Sequence, residues 1–219
     1  MLRRAFRYHL RGALEALPCV GLEFNLIFWF RVGHMSPKMI DDAPSIQLGK
    51  IDVARRHLQT AINLWFAGGE PVSIHLLAYS AYEIIHAISK KRNPGRTELI
   101  FDSKVTEEQR AEFNIWLKSH ANFFKHANKD GDAVIDFQPA LSELFLFFAC
   151  YGLAQCGEAA NKEELAIMYW FMIHKPHLLT DTGAKFFAEK IPIESLEHIR
   201  SLDKREFLEA YYYVLARGD

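Results

Sequence analysis

The residues best suited to chemistry lie in one short segment near the middle of the chain. Every fourth residue of this segment is polar, at Lys118, Asn122, His126 and Asp130. Residues four apart lie on the same face of an α-helix, so the spacing predicts one continuous polar ridge. A histidine on such a ridge can act as general acid or base toward a ribose hydroxyl, while an amide and neighbouring cations hold phosphate oxygens.

Two further lysines, Lys125 and Lys129, flank the histidine of this ridge and add positive charge. The same pattern is also typical of a solvated helix face. Lys and His side chains near a helix C-terminus interact favourably with the negative end of the helix dipole. Spacing alone therefore leaves a catalytic or binding ridge and a solvated face both open.

A second polar face is predicted on the preceding helix, opposite its apolar stripe. Its members recur at helical spacing: His75, Tyr79, Glu83 and His86. Packed across a bundle, Glu83 would pair with His126 or Asn122 and orient them. An exposed face and a dimer contact are equally open interpretations.

Other catalytic and metal-binding patterns are not found in the sequence. The ten histidines supply no i,i+4 pair of the kind that helical zinc sites favour, and no glycine-rich phosphate loop occurs. We therefore expect neither a metal nor a cofactor. Cys19, Cys150 and Cys156 are too few and too poorly spaced for a disulfide framework, which favours a reducing, cytoplasmic location.

The elements that must position these residues are helices. From Ile51 onward, apolar residues recur with helical period nearly everywhere. The pattern predicts helices over 51–66 and 71–91, a third opened by a capping box at Thr106, and a fourth from Pro139 to about Cys156. The predicted fold class is all-α, an up-and-down bundle of four long helices with a C-terminal helical extension.

Three regions follow from this pattern. Residues 1–48 are predicted to be a leader or peripheral segment, 49–160 the bundle, and 161–219 the extension packed on it. Residues 1–34 carry five arginines against two glutamates, in a chain with a net charge of −1. The longest apolar stretch, Leu141 to Leu153, contains Glu143 and is too short to span a membrane.

The segment Asn122-Phe123-Phe124-Lys125-His126-Ala127 resembles the HEPN superfamily of α-helical bundles. It is similar also to a group of uncharacterised bacterial proteins with the same six-residue core. The superfamily resemblance implies Asn122 at the polar motif position and His126 at the histidine position. Ala121 stands where the family carries arginine, so Lys118 or Lys125 would have to supply the cation.

Many HEPN domains are metal-independent ribonucleases, and they commonly pair with their motifs facing across a two-fold axis. The resemblance thus implies a homodimer with RNA as a partner. Three hypotheses follow: a non-catalytic or weakly catalytic module that binds RNA or a nucleotide or is defence-related, a dimeric structural or protein-interaction bundle, and a metal-independent ribonuclease using His126. The near-neutral charge argues against tight nonspecific nucleic-acid binding.

The candidate catalytic residues are His126 and Asn122. The candidate binding residues are Lys118, Lys125, Lys129, Glu83 and Tyr79.

Overall fold

The computed structural model describes residues 45–93, 107–126, 131–176 and 193–217. The chain divides into two units, Met1–Gln47 and Leu48–Asp219, and every helix described here belongs to the second. Seven α-helices lie in these residues, and we number them in chain order. They are α1 (Lys50–Phe66), α2 (Pro71–Arg92), α3 (Glu107–Lys125), α4 (Leu141–Gln155), α5 (Lys162–His174), α6 (Ile193–Ser201) and α7 (Lys204–Arg217).

Helices α1 and α2 form a tight hairpin. Gly68 has φ of 68°, a left-handed conformation that glycine adopts at little cost after a helix end. The carboxylate of Glu70 then accepts hydrogen bonds from the amides of Val72 and Ser73, and Pro71 occupies the first turn of α2. The two helices therefore run antiparallel and pack along their lengths.

The hydrophobic core lies where α1, α2, α4 and α5 meet. Phe145 of α4 is fully buried, and its ring packs edge-on against Tyr79 of α2 at 5.1 Å. From α5, Ile167 and Phe171 are buried in the same core. The helix that begins the predicted C-terminal extension thus contributes to the central packing.

A capping box holds the start of α5. Asn161 Oδ1 accepts from the amide of Glu164, while Glu164 Oε2 accepts from the amide of Asn161. The other carboxylate oxygen of Glu164 lies 3.4 Å from Arg55 Nε on α1, in ion-pair range but without hydrogen-bond alignment. Since Glu164 is fully buried, this pair ties α5 to α1 inside the protein.

Helix α7 packs its first half against α1. Asp203 Oδ1 accepts from the amides of Arg205 and Glu206, which caps the helix. One turn later the Phe207 ring stacks on Phe66 of α1 at 6.3 Å.

The predicted all-α bundle is confirmed. Most of the described residues are helical, and none of them lies in a strand. Cys150 and Cys156 are free thiols. Within the described part of the chain, no helix is long and apolar enough to cross a membrane. The arginine-rich segment 1–34 and the capping box at Thr106 lie outside the described residues.

Candidate functional site

One side of the second half of α3 is exposed, and we call it the α3 surface. It comprises Ile115, Lys118, Asn122, Lys125 and His126. Ile115 is 71% exposed, whereas Trp116, which is 47% exposed, lies about 160° around the helix from Lys118. The helix ends at Lys125, and His126 follows it with its amide donating to the carbonyl of Asn122 at 3.0 Å. The predicted ridge therefore exists as far as His126, while Lys129 and Asp130 lie outside the described residues.

The polar side chains of the α3 surface make few hydrogen bonds or ion pairs within the described part of the protein. Among the residues that the structure describes, the side chains of Lys118, Asn122 and His126 form no hydrogen bond or ion pair with one another or with other residues. Three polar side chains therefore stand side by side with their hydrogen-bonding capacity directed to solvent.

The opposite side of α3 faces the core. Leu117 and Ala121 are buried, and Ala121 is 0% exposed. Ala121 is the position to which the family resemblance assigns an arginine. Because this position points into the core, the cations available on the exposed side of α3 are Lys118 and Lys125.

Tyr79 and Glu83 connect α2 to the end of α3. The Tyr79 hydroxyl donates to Glu83 Oε1 at 3.3 Å, and the Lys125 ammonium lies 5.6 Å from the centre of the Tyr79 ring. Burial raises the pKa of Tyr79, and the neighbouring Glu83 carboxylate raises it further. The hydroxyl is therefore a fixed donor, and the ring provides a cation–π contact for Lys125.

Two predictions about this face of α2 need correction. Glu83 bonds to Tyr79 rather than to His126 or Asn122 within the described residues. The face was predicted to lie opposite the apolar stripe, which is wrong for His75 and Tyr79, since these are 0% and 3% exposed. The reason is that α3 and α4 pack against this side of α2 and bury it. Glu83 and the partly exposed His86 alone retain contact with solvent.

His75 is the centre of an aromatic cluster that docks α3. Its ring lies 5.7 Å from Phe124 of α3, 5.0 Å from Phe137 and 5.4 Å from Phe145, all edge-on. Its Nδ1 is 3.1 Å from Ser142 Oγ, and its Nε2 is buried without a hydrogen-bond partner in the described residues. Burial lowers the pKa of His75 to about 4, with a smaller effect from His120. The imidazole is therefore neutral at pH 7.

His120 ties α3 to the segment before α4. Its Nε2 lies 3.2 Å from the carbonyl oxygen of Asp136, and the residue is 8% exposed. A carbonyl can only accept, so this Nε2 carries the hydrogen. The ring also lies 6.0 Å from His75, edge-on. Through these contacts, both histidines help to hold α3 against α2 and the segment before α4.

A cleft of about 350 Å³ lies beside α3, between the start of α4 and the end of α5. Its walls include Trp116, His120 and Phe171. Inside it, Lys175 Nζ lies 3.5 Å from Oε2 of Glu143, a residue that is 8% exposed. His126 and Asn122 do not line this cleft. The predicted catalytic pair thus lies on an open surface.

Sequence reasoning missed His75, His120 and Glu143 as structural polar groups. The available signal was Glu143 itself, a single charge inside an otherwise apolar helix. His75 gave no such signal because a histidine fits both a polar face and a buried aromatic cluster. In the described ranges, no group of three or more His, Cys, Asp or Glu side chains is placed to hold a metal ion.

Comparison with protein-family models, with curated protein sequences and with solved structures finds no match to this chain.

Proposed function

We propose that this protein is an RNA-binding helical module that uses the α3 surface and has little or no catalytic activity of its own. One observation carries the proposal. Lys118 and Lys125 share one exposed helix face with the amide of Asn122. Cations that neutralise phosphates supply most of the affinity of proteins for nucleic acid, and an amide side chain can hydrogen-bond a phosphate.

One cation of this surface is held in place by the fold. The Lys125 ammonium lies 5.6 Å from the centre of the Tyr79 ring, and the Tyr79 hydroxyl donates to Glu83. Pre-positioned side chains lose less conformational entropy on binding.

The same geometry argues against a ribonuclease. Efficient general acid–base catalysis needs the base, the substrate and charge-stabilising donors to converge. His126 lies on an exposed surface beyond the end of α3, and the cations near it are lysines. A lysine lacks the planar fork with which arginine grips a phosphate.

A second function, a homodimeric protein-interaction bundle, is favoured by Ile115. This side chain is 71% exposed, and helical spacing puts it on the same face as Lys118 and Asn122. Exposed apolar side chains at the centre of a polar face are typical of protein interfaces. Sedimentation velocity should then show a dimer that Ile115→Lys dissociates. A monomer in the wild-type protein would rule this function out.

RNA binding is tested by fluorescence anisotropy with a short labelled single-stranded RNA. We expect Lys118→Glu/Lys125→Glu to bind at least about tenfold more weakly, because each reversal converts attraction to phosphate into repulsion. The matched control is Lys90→Glu/Lys91→Glu, which reverses two exposed lysines at the far end of α2. Equal losses in both variants would mean that binding depends on overall charge rather than on the α3 surface.

A further inference from the structure

A second cleft, of about 520 Å³, lies away from the α3 surface. It is bounded by the turn between α1 and α2, the end of α5 and the connection between α6 and α7, and we call it the α5–α7 cleft. Three cationic side chains line it, Arg200, Lys204 and Arg205, against one carboxylate, Asp203. In a chain with a net charge of −1, this is a local excess of positive charge.

Two of these cations are fixed in position. Arg200 Nε donates to the carbonyl of Ile173 at the end of α5, at 2.9 Å, which uses one of the five N–H donors of a guanidinium. The Lys204 ammonium lies 3.9 Å from the centre of the Trp65 ring. Arg205 is exposed at the mouth of the cleft. Arg200 and Lys204 are thus held in position before any ligand arrives.

The single carboxylate that lines the cleft already accepts two hydrogen bonds from the backbone. Asp203 Oδ1 accepts from the amides of Arg205 and Glu206, at 2.8 and 2.9 Å. Its charge therefore stabilises the first turn of α7. Burial lowers the pKa of Lys204, and the Glu143 carboxylate beyond the cleft offsets part of this effect. The two arginines remain the cations with the most donors to offer.

An unsatisfied donor lies in the same cleft wall. Trp170 is 8% exposed and lines the cleft, and its Nε1 is buried without an acceptor among the described residues. Buried indole N–H groups usually have a hydrogen-bond partner. His174 stacks on the same indole with ring centres 4.1 Å apart. Since this indole nitrogen is buried, the cations of the cleft are the groups that can reach a ligand, and their charge indicates an anionic ligand rich in acceptors.

We propose that the α5–α7 cleft binds a phosphate group, held by Arg200 and Arg205 with Lys204 adding charge. A phosphate offers several acceptor oxygens and up to two negative charges, which suits two guanidinium forks and an ammonium better than a carboxylate does. The cleft is large enough for a small phosphate ester or diphosphate.

Isothermal titration calorimetry of the full chain with inorganic pyrophosphate tests this proposal. We expect saturable binding that weakens about tenfold in Arg205→Gln, the loss of roughly one charge-assisted contact. Arg205 is exposed, so this variant keeps the fold, and circular dichroism checks it. The control is Arg56→Gln, an exposed arginine on α1. No saturable heat in the wild-type protein, or equal affinity in Arg205→Gln, would overturn the proposal.

Free phosphate compounds and the RNA backbone both offer phosphate oxygens to the cleft. A second measurement, RNA binding by Arg205→Gln, distinguishes the two ligands. If Arg205→Gln binds labelled RNA as the wild type does, the cleft takes a free phosphate compound. If RNA binding weakens in parallel, the cleft takes a phosphate of the RNA. Pyrophosphate binding by Lys118→Glu/Lys125→Glu is expected to be unchanged, so failure of the α3 proposal and failure of this one are distinguishable.

Discussion

The Nδ1 atom of His75 lies 3.1 Å from Oγ of Ser142, and both residues are almost fully buried between α2 and α4. This pair connects two helices of the core through a polar contact. Around it, the rings of Phe124 and Phe137 complete the packing on which α3 docks. The α3 surface therefore depends on a neutral imidazole at the centre of the protein.

Acid should weaken the fold through His75. Its pKa is about 4 when folded and about 6.5 when unfolded, so the unfolded chain binds more protons between these values. Stability is therefore lost as pH falls from about 6.5 to 4, by on the order of 3 kcal/mol in total and about 2 kcal/mol by pH 5. Urea unfolding at pH 7 and pH 5 measures the change.

Carboxylates also titrate over part of this range, so the comparison needs His75→Leu. This variant should lose most of the difference between pH 7 and pH 5, although it is less stable at pH 7. An unchanged pH dependence in His75→Leu would show that other groups are responsible.

Ala121→Arg and Asn122→Arg test the placement of α3. Position 121 is 0% exposed, so an arginine there would be overpacked and unpaired in the core, at a cost of about 3 kcal/mol or more. Position 122 is exposed, and the same substitution should change stability by less than about 0.5 kcal/mol. Thermal unfolding compares the two variants. Equal stability would mean that α3 is rotated from the described orientation.

Arg55→Gln should destabilise the protein by about 2 kcal/mol, because it leaves the buried Glu164 carboxylate without its cation. The expected loss is below that for a fully buried pair, since the Arg55 side chain is 34% exposed. Adding Glu164→Gln should restore part of the stability, because the amide oxygen can still cap α5. Urea unfolding of both single variants and the double variant measures the coupling energy between Arg55 and Glu164. Losses of unfolding free energy that simply add would contradict a direct interaction between these side chains.

The sequence predicts the helices well because each has local signals that do not depend on packing. Asn161 and Asp203 form the caps that their spacing with Glu164 and Glu206 indicates. Pro139 was predicted in the first turn of its helix, whereas α4 begins at Leu141.

The candidate site was less predictable because burial is decided by distant parts of the chain. Helical spacing placed His75, Tyr79 and Glu83 on one face, and this is correct. Tertiary packing decides which part of that face is covered by α3 and α4. The periodicity of a single helix carries no information about that packing.

Cleavage of RNA distinguishes a binding module from a ribonuclease. We expect purified protein without added metal to leave tRNA and single-stranded RNA intact, because His126 lies outside the described clefts. His126→Ala, prepared in parallel, controls for contaminating nuclease. Cleavage by the wild type that disappears in this variant would establish the ribonuclease function and point to Lys118 or Lys125 as the cation.

The salt dependence of RNA affinity tests most directly whether the α3 surface contacts phosphates. Neutralising both cations in Lys118→Gln/Lys125→Gln should reduce the slope of log affinity against log salt by about 0.7 for each lost phosphate contact with single-stranded RNA. Lys90→Gln/Lys91→Gln, at the end of α2, should keep the wild-type slope. A slope that is unchanged in the α3 variant, or the absence of RNA binding by the wild-type protein, would contradict the proposed function.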